Sequence, residues 1–88
     1  MNLSLTASIF PLGKMIDNAT KFGRRLSRAR KGLGLTQRDL ALAIGVGERF
    51  IVNLEAGKPT AQLGKALAAA KAVGMRLIDA SEADATSR

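Results

Sequence analysis

The apolar residues of this chain recur at helical spacing between about residue 17 and residue 74. A first helix is predicted from residue 17 or 18 to residue 31. Its apolar face consists of Phe22, Leu26 and Ala29. Asp17 or Asn18 can cap this helix, and Gly32 or Gly34 can end it. The remaining surface of the helix is cationic.

The segment 37–56 contains two shorter amphipathic helices. The first places Leu40 and Ile44 at helical spacing, and the second places Ile51 and Leu54 on one face. Gly45 lies between them and can adopt the positive φ that a turn of three to four residues requires. Two short helices joined in this way form a helix-turn-helix pattern.

Local signals define the ends of this helix pair. Thr36 precedes the first helix and Asp39 follows three residues later, which is a capping-box arrangement with Asp in place of Glu or Gln. Ala41 is small where two helices must cross closely. Gly57 ends the second helix.

A fourth helix is predicted over residues 61–73, with Thr60 as its cap and Gly74 as its end. The residues in its helical register are Leu63, Leu67, Ala70 and Val73. Its many alanines leave a smooth apolar surface, which suits close packing within the chain or across a dimer. Those alanines are Ala66, Ala68, Ala69, Ala70 and Ala72.

After Gly74 the helical period ends, and in residues 75–80 Met75, Leu77 and Asp79 alternate with Arg76 and Ile78, which predicts a short strand. A lone strand has unpaired edges, so it needs a partner. The same strand of a second subunit would supply one, giving an intermolecular sheet through Met75, Leu77 and Ile78. The alternative is a frayed tail that packs Leu77 and Ile78 on the fourth helix.

The two ends of the chain carry weaker patterns. Residues 1–16 form a mildly apolar arm broken by Pro11 and Gly13. The arm has no cationic segment before its apolar run and no long apolar stretch, so neither a secretory signal nor a membrane-spanning helix is expected. Residues 81–88 have the composition of a disordered tail.

The positive charge belongs to the part of the chain predicted to fold. Residues 1–76 contain 13 Lys and Arg against 4 Asp and Glu, whereas residues 77–88 contain one Arg against three acids. An excess of this kind is typical of proteins that bind phosphates. A basic helix lying on a membrane would need Trp or Phe anchors, and the chain has three Phe and no Trp or Tyr.

The composition argues against catalysis. Without Cys or His, the chain lacks thiolate nucleophiles, disulfides and the usual zinc ligands. It also has no phosphate-binding loop and no cluster of acids outside the tail. We therefore expect no enzymatic activity, no metal and no cofactor.

The string LTQRDLALAIGVGERFIVNLEAGKPT, residues 35–60, resembles the repressor domain of the XRE/Cro type. The resemblance implies an all-α, lambda-repressor-like DNA-binding domain of four to five helices over residues 17–74. It also implies that Gln37 contacts the DNA backbone and that Arg30 pairs with Glu55 as a structural ion pair. Removing one partner of a buried pair costs about 3–5 kcal/mol.

In such a domain the second helix of the pair enters the major groove. The face opposite Ile51 and Leu54 carries Glu48, Arg49, Val52 and Asn53. Arg49 could read guanine, Asn53 adenine, Val52 a thymine methyl group and Glu48 cytosine N4. For each residue, a phosphate contact or plain exposure is the alternative. The residues predicted to contact phosphates are Thr36, Gln37, Arg38 and Lys58.

The longer string ERFIVNLEAGKPTAQLGKALAAAKAVGMRLI, residues 48–78, is similar to HipB-type antitoxins. That similarity implies a homodimer in the bacterial cytoplasm that binds a palindromic operator, represses its own operon and sequesters a HipA-type kinase toxin. Gly47 departs from the family, which often has Ser or Thr there. The alternatives are a stand-alone XRE-type regulator and an interaction module that does not bind DNA.

Overall fold

A computed structural model of the protein describes residues 15–79 and residue 81. Four α-helices lie within this part of the chain. They are α1 (Ala19–Gly32), α2 (Gln37–Ile44), α3 (Glu48–Glu55) and α4 (Leu63–Ala72). The predicted all-α domain with four helices is thereby confirmed. Most of the predicted arm at 1–16 and of the predicted tail at 81–88 lies outside the described residues.

Side-chain caps start the first two helices where the sequence predicts them. The Asn18 side chain accepts a hydrogen bond from the Lys21 amide at 2.8 Å and caps α1. At the start of α2, the Thr36 hydroxyl accepts from the Asp39 amide and the Asp39 carboxylate accepts from the Thr36 amide, each at 2.9 Å. The capping box is therefore complete, with Asp in the place of Glu.

The turn between α2 and α3 depends on one glycine. Gly45 ends α2 in the left-handed conformation with φ of 73°. A side chain at this position would be strained, because L-residues rarely adopt positive φ. The tight turn at Gly45 that the sequence predicts between α2 and α3 is confirmed.

All four helices contribute apolar side chains to a single hydrophobic core. Helix α3 packs against α1 and α2, and α2 also packs against α4. The largest fully buried side chains are Leu26 of α1, Leu40 of α2 and Ile51 of α3. Burial of a side chain of this size contributes about 1.5–3 kcal/mol. The whole cluster comprises Leu26, Leu40, Ala41, Ile51, Leu54, Ala66, Ala69 and Val73.

Helix α4 starts later than the sequence predicts. Its N-cap is Gln62, which makes no capping side-chain hydrogen bond, so the prediction that Thr60 caps it is wrong. Residues 59 and 60 form a turn, and Ala61 packs against the core. The segment between α3 and α4 therefore turns and packs against the core first, and the helical hydrogen bonds of α4 begin only after it.

The side of α4 that faces the core also differs from the predicted register. Leu63 is 71% exposed and Leu67 is 37% exposed. The residues that pack inward at α4 and its C-cap are Ala66, Ala69, Ala70 and Val73. Small side chains let two helix axes approach closely, so the alanines face the domain interior and the two leucines lie on its surface.

The predicted strand at 75–80 is not found in the single chain. Residues 75–79 form neither helix nor strand, because no second strand is available within the described residues to complete the hydrogen bonding. The Met75 amide donates to the Ala70 carbonyl at 2.9 Å, and Met75 packs against the core. Leu77 and Ile78 are 76% and 64% exposed, so packing of these residues on α4 is also wrong for the single chain.

Helix α1 contacts the end of α3 closely at Gly23, which is buried. A Cβ atom at this position would lie 2.5 Å from the Leu54 carbonyl oxygen and 2.6 Å from that of Glu55. Both atoms belong to the backbone and cannot move aside without displacing α3. Gly23 therefore sets the distance between α1 and the end of α3.

We predict that Gly23→Ala lowers the free energy of unfolding by about 1–3 kcal/mol or more, because the added methyl group overpacks the contact between α1 and α3. The measurement is urea denaturation followed by circular dichroism. Gly32→Ala in the same helix is the matched control, since a Cβ atom added there would meet no neighbouring atom within 4 Å. Equal stability of the two variants would contradict the prediction.

Candidate nucleic-acid interface

Helix α3 divides its residues between a buried side and an outward side. Ile51 and Leu54 are buried and hold the helix against the domain. The outward side carries the four residues for which base contacts are predicted, with Glu48 and Arg49 exposed and Val52 and Asn53 half-buried. At 100° per residue, Arg49 lies nearest the middle of this outward side. These residues are therefore brought together on one surface.

The start of α2 borders this surface on one side. Thr36, Gln37 and Arg38 lie there in sequence, with Thr36 and Arg38 exposed and Gln37 half-buried. The Thr36 hydroxyl accepts from Asp39, so its own proton is still able to donate. The amides of Gln37 and Arg38 have no acceptor within the helix, because they belong to its first turn. This border is a set of hydrogen-bond donors.

A groove of about 170 Å³ borders α3 on the opposite side. It lies between α3 and the start of α4, with Phe50 and Ala61 as its apolar part. The polar residues that line it are Asn53, Lys58, Thr60, Gln62 and Lys65. Of these, the sequence predicts Asn53 and Lys58 as DNA contacts. The other three were missed, because the predicted α4 started at residue 61 with Thr60 as its cap.

We call these three parts together the recognition face. It is defined as Thr36, Gln37 and Arg38, the outward side of α3, and the polar residues of the groove. The face carries four cations, Arg38, Arg49, Lys58 and Lys65, against one acid, Glu48. Donors and cations on both sides of a helix are suited to contacting the two phosphate backbones that border a DNA groove.

The predicted ion pair lies directly behind this face. Arg30 Nε donates to Glu55 Oε2 at 2.6 Å, and Arg30 Nη2 donates to Glu55 Oε1 at 2.9 Å. The two side chains are only 8% and 6% exposed. Arg30 Nη1 also donates to the Leu35 carbonyl at 2.7 Å, so the guanidinium joins α1, α3 and the turn before α2. Two parallel charge-assisted bonds of this kind are among the strongest in proteins.

The residues around Glu55 keep its carboxylate ionised. Burial raises the pKa of Glu55, but the hydrogen bonds from Arg30 and Gln37 outweigh burial and hold that pKa below its ordinary value. The hydrogen bonds that Arg30 donates to Glu55 in turn raise the pKa of Arg30. Gln37 Nε2 donates to Glu55 Oε1 at 3.1 Å, so this predicted phosphate-contacting residue also takes part in the ion-pair network.

Helix α1 carries a second group of cations outside the recognition face. Arg24, Arg28 and Lys31 are exposed, whereas Lys21 pairs with Asp17 at 3.1 Å. No acid lies within α1. The sequence predicts that part of this cationic surface lies close to the DNA backbone, and that stays a prediction.

The geometry of α2, the Gly45 turn and α3 defines a helix-turn-helix protein. Comparison with known proteins agrees: residues 26–79 match the helix-turn-helix family HTH_3. The chain belongs to this family. It is also 46% identical over 63 residues to an uncharacterized HTH-type transcriptional regulator, y4mF, of Sinorhizobium fredii, covering 72% of this chain and 83% of that protein.

The described residues offer neither a membrane-spanning helix nor a metal cluster. No helix in this part of the chain is both long and apolar enough to cross a membrane. Residues 15–79 and 81 also contain no group of three or more acidic, His or Cys side chains placed to hold a metal ion.

We predict that Glu55→Gln lowers the free energy of unfolding at neutral pH by about 3–5 kcal/mol, because it leaves Arg30 buried without its counter-charge. In the unchanged protein, the stability contributed by Glu55 is fully present above the ordinary pKa of a Glu, about 4.5. It is lost as the pH falls through the depressed pKa of the folded state. Chemical denaturation as a function of pH measures both effects.

Asp39→Asn is the control for this prediction. Hydrogen bonds from Thr36 also lower the pKa of Asp39, but this carboxylate is exposed, so its removal should cost much less stability. A Glu55→Gln variant with the same stability and the same acid dependence as the unchanged protein would contradict the assignment of Arg30 and Glu55 as a structural pair.

Proposed function

We propose that this protein is a sequence-specific transcriptional repressor that binds operator DNA through the recognition face and catalyses no reaction. The observation that carries the proposal is the position of α3, whose outward side lies between two borders of cations and hydrogen-bond donors. The family assignment and the similarity to a transcriptional regulator support DNA-binding regulation. The outward side of α3 enters the major groove, while the two borders contact the flanking phosphates.

In this proposal the outward side of α3 reads the bases. Arg49, at its centre, donates to guanine O6 and N7, and Asn53 pairs with adenine. Val52 contacts a thymine methyl group and Glu48 accepts from cytosine N4. Glu48 also lies in the first turn of α3, where a negative charge is favourable to the helix dipole.

The phosphate contacts come from both borders. On the α2 side, Thr36, Gln37 and Arg38 provide a hydroxyl, an amide and a guanidinium. On the groove side, Lys58 is exposed in the turn that follows α3, and Lys65 extends this positive surface onto α4. Such contacts position the protein without reading sequence.

We further propose that the protein acts as a homodimer on a palindromic operator. The exposed apolar side chains at the end of the domain support this, because a monomer gains nothing from exposing them. Leu77 and Ile78 follow α4, and the outward leucines of α4 precede them. Pairing of residues 75–80 between two subunits would place two α3 helices in successive major grooves, about 34 Å apart.

A finer proposal is that the protein is the antitoxin of a type II toxin-antitoxin pair, with a HipA-type kinase as its toxin. It rests on the resemblance to HipB-type antitoxins that the sequence of residues 48–78 suggests. A stand-alone XRE-type regulator is the alternative. Co-purification with a kinase-like product of the neighbouring gene distinguishes the two, since only the antitoxin would retain such a partner.

We predict different effects for two cations of the recognition face. Arg49→Ala should relax sequence preference at one operator position by about 1–3 kcal/mol, because it removes a bidentate base contact. Lys58→Ala should weaken binding to all sequences and reduce the slope of log K against log salt concentration by about one. Fluorescence anisotropy with operator and scrambled duplexes at several salt concentrations measures both.

Lys71→Ala is the control for both variants, because Lys71 is exposed at the end of α4 and lies outside the recognition face. It should leave affinity and salt slope nearly unchanged. If Arg49→Ala and Lys58→Ala instead reduced affinity equally for every sequence, the proposed division between base and phosphate contacts would be wrong.

We predict that Ile78→Glu converts the dimer to a monomer and reduces operator affinity, because it places a charge in the proposed subunit contact. Sedimentation velocity gives the oligomeric state. Leu42→Glu is the matched control: Leu42 is 71% exposed on α2, and the proposed contact does not include it. A wild-type monomer, or two variants that remain equally dimeric, would reject the proposed contact.

A further inference from the structure

One hydrogen bond connects the recognition face directly to the buried ion pair. Gln37, the first residue of α2, donates from Nε2 to Glu55 Oε1, at the last residue of α3. The same carboxylate oxygen accepts from Arg30 Nη2. The Gln37 carboxamide is therefore attached to the buried ion pair, although its backbone lies on the recognition face.

The chemistry of Glu55 fixes the orientation of that carboxamide. An ionised carboxylate can only accept hydrogen bonds, so the nitrogen of the Gln37 amide must face it and the amide oxygen must point elsewhere. Arg30 keeps the carboxylate ionised through its two short bonds. The amide nitrogen carries two hydrogens, and Glu55 uses one of them. The other N–H remains able to donate.

We propose that Glu55 is a positioning residue for DNA binding, which holds the Gln37 carboxamide by one N–H and thereby directs its second N–H to a backbone phosphate. This inference rests on the proposed function. The neighbouring groups agree with it, since Thr36 and Arg38 on either side of Gln37 are exposed donors. Glu55 thus serves both the packing of α1 against α3 and the contact with DNA.

Positioning of this kind favours binding because it is established before DNA arrives. A free glutamine side chain loses rotamer entropy when it is fixed on a phosphate. In this protein the bond to Glu55 has already fixed it. The phosphate then meets an oriented donor at the border of α3, and the distance between that border and the base-reading residues is set by the ion-pair network.

The first test is NMR spectroscopy of the side-chain amides of the full chain. Assignment is simple because the sequence contains two Gln and three Asn. We expect one Gln37 side-chain proton to be shifted by Glu55 in the free protein and to stay so in the complex. The second Gln37 proton should shift only when operator duplex is added. Loss of the first shift on binding, or no response of the second proton, would overturn the proposal.

The second test compares substitutions of Gln37 itself. Gln37→Met removes both donors at nearly constant size, whereas Gln37→Asn keeps the amide on a side chain one methylene shorter, which cannot reach Glu55 and a phosphate together. Each variant should lose affinity for operator and scrambled duplexes alike, by about tenfold or more, as expected for a hydrogen bond to a charged group. Wild-type affinity in either variant would overturn the proposal.

The salt dependence separates this role from that of a cation. Glutamine is neutral and releases no counterion, so both Gln37 variants should keep the wild-type salt slope. Arg38→Gln is the matched control and should reduce that slope by about one. A thermal denaturation midpoint close to wild type for Gln37→Met shows that the loss is not one of folding, and a large fall in that midpoint would overturn the positioning role.

The proposed function and this inference fail in different ways. Wild-type protein that does not discriminate operator from scrambled duplex would reject the proposed function. Wild-type protein that binds the operator, together with Gln37 variants that bind it equally well, would reject the positioning role of Glu55 alone.

Discussion

The bidentate pair between Arg30 and Glu55 is the interaction on which the rest of the domain depends. It joins the end of α1 to the end of α3, and through the Leu35 carbonyl it also fixes the turn that leads into α2. Taking these charges out of water is costly, and the cost is recovered only while the two charges stay paired. The pair therefore fixes the positions of α1, the end of α3 and the turn before α2 relative to one another.

The core contains few large side chains, which explains why the domain depends on the ion pair between Arg30 and Glu55. Each of α1, α2 and α3 contributes one fully buried large residue, and α4 contributes mostly alanine. Alanines bury little area, but they allow close approach, as Gly23 does between α1 and α3. In so small a domain, close packing of the backbones takes the place of large buried side chains. A methyl group added at Gly23 would therefore clash with the backbone of α3.

Much of this arrangement could be predicted from the sequence, because it depends on local chemistry. The caps at Asn18 and Thr36 and the turn at Gly45 are of this kind, and the ion pair follows from the family resemblance.

The sequence predictions are wrong or incomplete where tertiary packing determines the structure. The local sequence around Gly23 does not show that this residue packs against the backbone of α3. The periodicity of α4 does not show that its leucines face outward. Residues 75–80 alternate like a strand, but strand pairing needs a second segment. Part of the groove beside α3 could not be predicted either, because its lining depends on the residue at which α4 begins.

The two sides of α3 have different surroundings, and this difference determines which of its residues can be replaced. Ile51, Leu54 and Glu55 attach the helix to the domain, while residues 48, 49, 52 and 53 project from it. Because these outward positions contribute little to the core, they are free to mutate without unfolding the protein. Under the proposed function, a few substitutions at these positions would change the DNA sequence that the protein recognises and leave its scaffold intact.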